Sequence, residues 1–510
     1  RRPMRRPAFE LAPAVAVALA AVFVATTIPV LDTLPHDFDE GWLMLDARFV
    51  AAGQRPFVDF PHHETPLHLY LLALAGEVFG RTLFGYRMLS LTALAASGFV
   101  LFRLARPFVG ALPALFAESL FLFSPVQSRA LTAVPETPAL CLTLLGVLWL
   151  FTRSSRASAW ASGIAFVAAV LTKPTVLVVI AAAVLGLAVG REWRRLADLA
   201  VAGIVAGVVG LVAVTALSDG VFAEVVRFQL TRVGTHRVGM WAIDSGFADM
   251  KQLLGIATPR QWAVLNFRTF FLTGVEPMPI AILALGLLAI PVWIFGCART
   301  RPAFGAFAAL WPAGLLWLNF LVMDFVSPRY FIPCFAFAAF LAAGWAWLLE
   351  RIAGTWVVAG LGGLAAVLLA GHYATVLGSD ADPWFWGRSH AIAHENRQVV
   401  SFTPIFFAAT GQEPGCGFAN SALTYGSFGD VFLTTERTRR FQFTDERLIA
   451  CLRAHPDLPV VIDWAFYFFT RPGSPLRAYL AGEGSAQRLF FSPEAVAQWD
   501  RPLLRMSPFR

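Results

Sequence analysis

The sequence predicts an all-α polytopic membrane domain of about eleven transmembrane helices, followed by a small α/β extracytoplasmic C-terminal domain. Of the 510 residues, 57% are hydrophobic and 14% charged, and the mean hydropathy is +0.64. A soluble chain of this length has too little interior for so many apolar side chains. The tail has turn signals, charges and a strand-like run from Pro459 to Asp463. We expect a transmembrane domain over residues 1–372 and a C-terminal domain over 373–510.

The apolar runs divide the first domain into its spans. The run from Trp160 to Gly190 would reach about 45 Å as one helix, against a hydrocarbon core of about 30 Å. Lys173 and Pro174 therefore divide it into two short helices. The predicted spans are residues 11–31, 84–102, 108–124, 138–152, 158–172, 174–190, 198–218, 277–296, 303–323, 331–349 and 355–372.

Arginine clusters orient these spans. The basic residues before Pro7 place the N-terminus in the cytoplasm, and the apolar run that follows lacks a small-residue cleavage site, which predicts a retained first helix. The first loop (32–83), the loop at 219–276 and the tail then face outward. The later cytoplasmic clusters are Arg103/Arg106, Arg153/Arg156, Arg191/Arg194/Arg195, Arg299/Arg301 and Arg351.

The first outer loop contains two further predicted helices, both juxtamembrane. Residues 41–52 form an amphipathic interfacial helix with Trp42, Leu45 and Phe49 on one face. Residues 66–79 form an apolar helix that is too short to span.

Acidic residues stand at the start of both loop helices. Asp37, Asp39 and Glu40 precede the first helix, and Glu64 precedes the second. A carboxylate at a membrane surface can serve as a general base, whereas N-capping of a helix is the alternative for each residue. We predict Asp39, Glu40 and Glu64 as catalytic residues, with Asp39 as the preferred base.

Histidines and cysteines give no strong metal signal. His62 and His63 could join Glu64 around a divalent metal, but adjacent side chains point in different directions on most backbones. The five cysteines lack metal-ligand spacing. No cofactor is required by these patterns, and a divalent metal is left open. Cys416 and Cys451 lie in the outward tail, where a disulfide is permitted, although two buried free cysteines are an equal alternative.

Three charged residues lie at the ends of spans or within them. Lys173 is predicted at an outer turn, where a cation suits a lipid phosphate or snorkels to the headgroups. Glu136 opens the fourth span from the outside. Glu118 lies within the third span, where a carboxylate is a functional residue or a link between helices.

Further outer cations are candidates for binding a phosphate. Arg232, His236 and Arg237 lie in the second outer loop, and Arg329 and Tyr330 precede the tenth span. A solvated basic loop is the alternative. The net charge of +7 is distributed in short arginine clusters between apolar runs, which is typical of membrane topology and not of nucleic-acid binding.

These motifs and their order resemble the polytopic, lipid-phosphosugar-dependent glycosyltransferases of the GT-C superfamily, especially the bacterial aminoarabinose transferase and protein O-mannosyltransferase branch. The resemblance covers roughly residues 10–350. Thr65 departs from it, standing where the aminoarabinose transferases carry a lysine. The similar segments are Asp39-Glu40-Gly41, His63-Glu64-Thr65-Pro66-Leu67, Phe84-Gly-Tyr-Arg87, Pro135-Glu136, Thr172-Lys173-Pro174 and Arg329-Tyr-Phe-Ile-Pro-Cys-Phe335.

The resemblance implies a multi-pass enzyme of the bacterial inner membrane. It would move a sugar from a polyprenyl-phosphate donor to a membrane-proximal acceptor (glycolipid, lipopolysaccharide, glycan or protein) on the extracytoplasmic face, with inversion. Asp39 would take the acceptor proton and Glu64 would orient a sugar. The implied substrate-binding residues are Asp37, His63, Arg87, Glu136, Lys173, Arg232, His236, Arg237, Arg329 and Tyr330.

A transporter or lipid flippase is the main alternative, and a non-catalytic partner in envelope assembly is a third. Transporters carry ionisable residues near the membrane midplane on broken helices, often with repeat symmetry. Here the ionisable residues cluster toward one face and no internal repeat is visible, which favours the enzyme.

The topology is testable with reporter fusions. We expect alkaline phosphatase fused after Arg510 to be active, because eleven spans from a cytoplasmic N-terminus place the tail outside. A fusion after Arg156 serves as the control and should be inactive. Cytoplasmic behaviour at Arg510 would mean that the span count is wrong by an odd number.

Overall fold

A computed structural model describes residues 11–34, 38–62, 64–219, 222, 277–297, 301–317, 332–380, 383–418, 425, 442–470 and 473–499. The part before residue 381 is mostly helical. Its helices are α1 (Ala12–Thr27), α2 (Phe38–Ala51), α3 (Leu67–Phe79), α4 (Leu83–Val109), α5 (Ala111–Leu122), α6 (Gln127–Ala130), α7 (Glu136–Thr152), α8 (Arg156–Thr172), α9 (Leu177–Val189), α10 (Trp193–Leu217), α11 (Pro277–Leu288), α12 (Ile290–Cys297), α13 (Pro302–Trp317), α14 (Ile332–Ala353) and α15 (Thr355–Asp380).

Each predicted span overlaps a helix or a pair of helices, and the chain is a multi-pass membrane protein. Within the described ranges, five helices are long and apolar enough to cross a membrane, and further apolar helices are shorter. The count of eleven spans stays a prediction. The five are Ala12–Val30, Leu83–Val109, Trp193–Leu217, Ile332–Ala353 and Thr355–Ser379.

The break at Lys173 and Pro174 is confirmed. Helix α8 ends at Thr172, a 3₁₀ turn follows over Pro174–Val176, and α9 then begins. Lys173 is extended (φ −153°, ψ 114°), because the ring of the following proline disfavours the helical conformation for the residue before it.

Helices α4 and α14 lie at the centre of the bundle. Both pack on α5, and their side chains share one apolar core with α1, α7, α9 and α13. Helix α10 instead exposes Ile204, Val205, Val208 and Val209. A row of exposed aliphatic side chains suits contact with lipid tails and not with water.

The two helices expected in the first loop are present as α2 and α3, but the environment of α2 differs from the prediction. Its residues 40–47 are buried, including Asp46 as well as Trp42 and Leu45. The expectation that only one face of α2 is buried is therefore wrong, and its position at the membrane interface stays a prediction. The physical reason is that α2 is covered from two sides, by α3 and by a helix of the C-terminal part.

The C-terminal part combines short helices with two two-stranded parallel sheets, β1–β2 and β3–β4. Helix α15 continues past the proposed boundary at 372, and an independent domain stays a prediction. The elements are α16 (Pro383–Glu395), β1 (Gln398–Val399), α17 (Ile405–Thr410), β2 (Glu413–Pro414), α18 (Asp445–Ala454), β3 (Val460–Ile462), α19 (Trp464–Phe469), α20 (Pro475–Ala481), β4 (Arg488–Phe490) and α21 (Pro493–Trp499).

Of the two alternatives left open for Cys416 and Cys451, the structure shows the disulfide: the two residues are bonded, with their Cα atoms 6.1 Å apart. It joins the turn after β2 to α18. Closing this loop of 35 residues in the unfolded chain corresponds to roughly 3–4 kcal/mol in the chain-entropy account.

The C-terminal part docks directly on α2. The Arg48 guanidinium donates to the carbonyl oxygens of Phe407 (3.1 Å) and Gly411 (3.1 Å) at the end of α17. At the other end of the contact, a Cβ atom on Gly41 would overlap the backbone of Ile405. Glycine is therefore required at position 41 for this approach.

Candidate active site

Glu40 and Arg87 form a buried ion pair between the first loop and α4. Arg87 Nε lies 2.7 Å from Glu40 Oε1 and Nη2 lies 2.7 Å from Oε2. Both side chains are fully buried. A bidentate pair of this kind has favourable geometry, but removal of either partner leaves an uncompensated buried charge. The contact therefore fixes the start of α2 against the bundle.

Arg87 also holds the chain that leaves α1. Its Nη1 donates to the carbonyl oxygens of Leu31 (2.7 Å) and Leu34 (3.1 Å). The indole of Trp386 in α16 donates to the same Leu34 oxygen at 3.2 Å. The Arg87 guanidinium thus connects α4 with α2 and with the segment after α1. Trp386 of the C-terminal part binds the same segment.

Ala133 connects the first loop to the start of α7. Its backbone N–H donates to Glu40 Oε1 at 2.8 Å, and its carbonyl oxygen lies 3.2 Å from His68 Nε2. Ser90 Oγ donates to the neighbouring Thr132 carbonyl at 2.7 Å. Because Glu136 follows Ala133 by three residues, these contacts fix the backbone where the chain enters α7.

Lys173 meets two carboxylates where three elements converge. Its Nζ lies 2.5 Å from Oε1 of Glu64, which precedes α3, and 3.3 Å from Oε1 of Glu136, at the start of α7. The exposed fractions of these side chains are 9% for Lys173, 16% for Glu64 and 3% for Glu136. The structure thereby brings together three residues that the sequence separates by up to 109 positions.

This cluster changes the interpretation of Lys173. A lysine that only anchors a helix would extend toward headgroups, whereas this ammonium turns to Glu64 and Glu136. Because its ammonium is already paired with carboxylates, the contact favours an ordering role toward Glu64. The predicted contact with a lipid phosphate stays a prediction.

Asp39 lies in the first turn of α2 and is only partly buried. Its Oδ1 accepts a hydrogen bond from the indole Nε1 of Trp42 at 3.2 Å. It is adjacent to Glu40, whose position is set by Arg87. A partly exposed carboxylate beside a rigid, buried ion pair is suited to proton transfer with a bound molecule.

Asp46 and His62 form a second buried pair in the loop. His62 Nδ1 lies 3.0 Å from Asp46 Oδ2. Burial raises the pKa of Asp46 to about 6, and the neighbouring imidazole opposes that shift. Within the parts of the chain that the structure covers, no group of three or more His, Cys, Asp or Glu residues is arranged to hold a metal ion.

Glu118, the carboxylate expected within a span, is buried in α5. In the described structure neither of its carboxylate oxygens has a hydrogen-bond partner. It takes no part in the contacts above. The predicted residues that lie outside the described ranges are Asp37, His63, Arg232, His236, Arg237, Arg329 and Tyr330.

Three residues of the site were not predicted: Trp42, His68 and Ala133. The only sequence signal for His68 is its place in the first turn of the predicted helix that follows Glu64. Ala133 acts through its backbone, which side-chain patterns do not reveal. Trp42 was assigned only to an apolar face.

Because His68 is buried, we expect the free energy of unfolding to depend on pH. Burial lowers the pKa of His68 from 6.5 to about 4. Between these values the unfolded chain binds a proton that the folded chain does not. The free energy of unfolding therefore falls as the pH falls through this window, by up to about 3 kcal/mol from this residue.

We expect His68→Gln to weaken that dependence, because glutamine keeps an N–H for Ala133 but does not titrate. Unfolding in detergent should be followed from pH 4 to pH 7. His455→Gln, at an exposed histidine, should keep the parent's slope. A His68→Gln slope equal to the parent's would contradict the assignment.

Residues 63–218 match the family described as dolichyl-phosphate-mannose-protein mannosyltransferase. The matched range contains Glu64, Arg87, Glu136 and Lys173. Asp39 and Glu40 precede it. No curated protein sequence matches the chain significantly.

Solved structures show the same fold at low sequence identity. ArnT from Cupriavidus metallidurans in the apo state matches with a TM-score of 0.55 and 14% identity, over 86% of this chain and 90% of that chain. The Archaeoglobus fulgidus oligosaccharyltransferase in the apo form matches with a TM-score of 0.50 and 11% identity, over 82% of this chain and 65% of that chain. The chain therefore shares the fold of these two proteins, and its residues 63–218 are similar to the dolichyl-phosphate-mannose-protein mannosyltransferase family.

Proposed function

We propose that the protein is an inverting glycosyltransferase that moves a sugar from a polyprenyl-phosphate donor to an envelope acceptor on the extracytoplasmic face of the bacterial inner membrane. The observation that carries the proposal is the position of Asp39. It is a partly exposed carboxylate held beside the buried Glu40–Arg87 pair. The family match over residues 63–218 supports the reaction class.

The chemistry requires a base. Asp39 takes the proton of the acceptor hydroxyl, and the acceptor oxygen forms a bond to the anomeric carbon. The bond between that carbon and the phosphate oxygen breaks, and polyprenyl phosphate leaves with the bonding electrons. Attack opposite the leaving group inverts the anomeric centre.

The other residues divide into positioning and binding roles. Glu40 and Arg87 hold the start of α2, and Glu64, kept in place by Lys173, orients a sugar. Negative charge develops on the departing phosphate, so cations near it stabilise the transition state. We assign that role to the outer cations at positions 232, 236, 237 and 329, with Tyr330 and Lys173 as further contacts.

The acceptor is a membrane-proximal glycolipid, lipopolysaccharide, glycan or protein. Its hydroxyl must reach Asp39 at the membrane surface, since the proposed base stands in the first outer loop. Under this proposal eleven spans carry the site, the N-terminus is cytoplasmic and the C-terminal part is extracytoplasmic.

Asp39→Asn should abolish transfer while leaving the fold intact, because it keeps the shape and removes the base. We expect a loss of about 100-fold or more. The assay uses purified protein, a panel of polyprenyl-phosphate sugars and membrane extracts, read by mass spectrometry. Asp59→Asn is the matched control in the same loop, since Asp59 is exposed and pairs with Arg55.

Parent protein that transfers no sugar from any donor in the panel would count against the reaction class. Transfer by Asp39→Asn at the parent's rate would show that the base is a different residue.

A further inference from the structure

We infer that Trp42 is a positioning residue for the proposed base, and that the buried Asp46–His62 pair holds its indole in place. The inference rests on the proposed function, because it assigns a role relative to Asp39. Its starting observation is the hydrogen bond from Trp42 Nε1 to Asp39 Oδ1, at 3.2 Å.

The two residues differ sharply in exposure. Trp42 is 1% exposed, whereas Asp39 lies partly at the surface. They are three positions apart on α2, a spacing that places side chains on one face of a helix. The indole therefore approaches the carboxylate from the interior of the protein, while part of Asp39 stays exposed.

An indole N–H suits this role chemically. It is a donor only, so it cannot accept the proton that Asp39 removes. A hydrogen bond to an ionised carboxylate is stronger than one between neutral groups. It also fixes the direction of one carboxylate oxygen, and general-base catalysis depends on such alignment.

The indole is itself fixed by aromatic contacts. The centre of the His62 ring lies 5.6 Å from the centre of the Trp42 ring and 5.4 Å from the centre of the Phe57 ring. His62 is therefore flanked by two aromatic side chains, and its ring restricts the movement of the indole.

Asp46 contacts His62 and so holds it against α2, the helix that carries Trp42. Asp46 follows Trp42 by four residues on α2, and its Oδ2 lies 3.0 Å from His62 Nδ1. Both side chains are at most 3% exposed. Burying such a pair costs desolvation energy that an apolar pair of similar volume would avoid. The polar pair instead specifies one arrangement of the 57–62 segment against α2.

Two substitutions at Trp42 separate the hydrogen bond from the packing. Trp42→Phe keeps an aromatic ring and removes the N–H, so kcat should fall about ten-fold while the KM for donor changes less than about two-fold. Trp42→Gln loses the ring but keeps an N–H. It should be less stable than Trp42→Phe and yet retain a higher kcat per folded molecule.

Trp293→Phe is the matched control, since its buried indole donates to the Leu341 carbonyl at 2.8 Å, within the helical bundle. It should lower stability without changing kcat per folded molecule. If Trp42→Phe behaves like this control, or if Trp42→Gln is slower than Trp42→Phe, the positioning role is overturned.

A double variant distinguishes failure of this inference from failure of the proposed function. In the Asp39→Asn background, adding Trp42→Phe should cause no further loss of residual transfer, because the indole acts through Asp39. An additional ten-fold loss would overturn the inference and leave the base assignment intact. Full transfer by Asp39→Asn alone would instead refute the proposed base and the role of Trp42 with it.

Discussion

The bidentate contact between Glu40 and Arg87 determines where the acidic loop lies. Four further groups contact these two side chains: the carbonyl oxygens of Leu31 and Leu34, the backbone N–H of Ala133 and the ring of Trp386. They belong to segments distant in the sequence. Because both charges are buried, each depends on the other, and the neighbouring Asp39 is placed as a consequence.

The second ionic cluster follows from the first. Glu40 and His68 fix Ala133, the chain then enters α7 at Glu136, and Glu136 meets Lys173 together with Glu64. The proposed base and the proposed sugar-orienting residue thus share one framework. The C-terminal part completes it by covering α2 through Arg48 and the close approach at Gly41.

Much of this could be predicted from the sequence. Local patterns were sufficient for the helices, for the break before Pro174 and for the motifs that resemble GT-C proteins, because hydropathy, proline geometry and residue order are local properties. The partners of the charged residues were not predictable in that way. Glu40 and Arg87 are 47 positions apart, and Glu64 and Lys173 are 109 apart. Composition also could not reveal that the C-terminal part covers α2, so only one face of that helix was expected to be buried.

The most direct test of the account compares stability and transfer in Glu40→Gln. The substitution leaves the Arg87 charge buried without its carboxylate, so the free energy of unfolding in detergent should fall by about 3–5 kcal/mol, with transfer falling as well. Glu77→Gln removes an exposed pairing with Arg81 and should change stability by less than about 1 kcal/mol. A Glu40→Gln protein as stable as the parent but unable to transfer sugar would contradict the account, since Glu40 would then be a reacting group and not the support of Asp39.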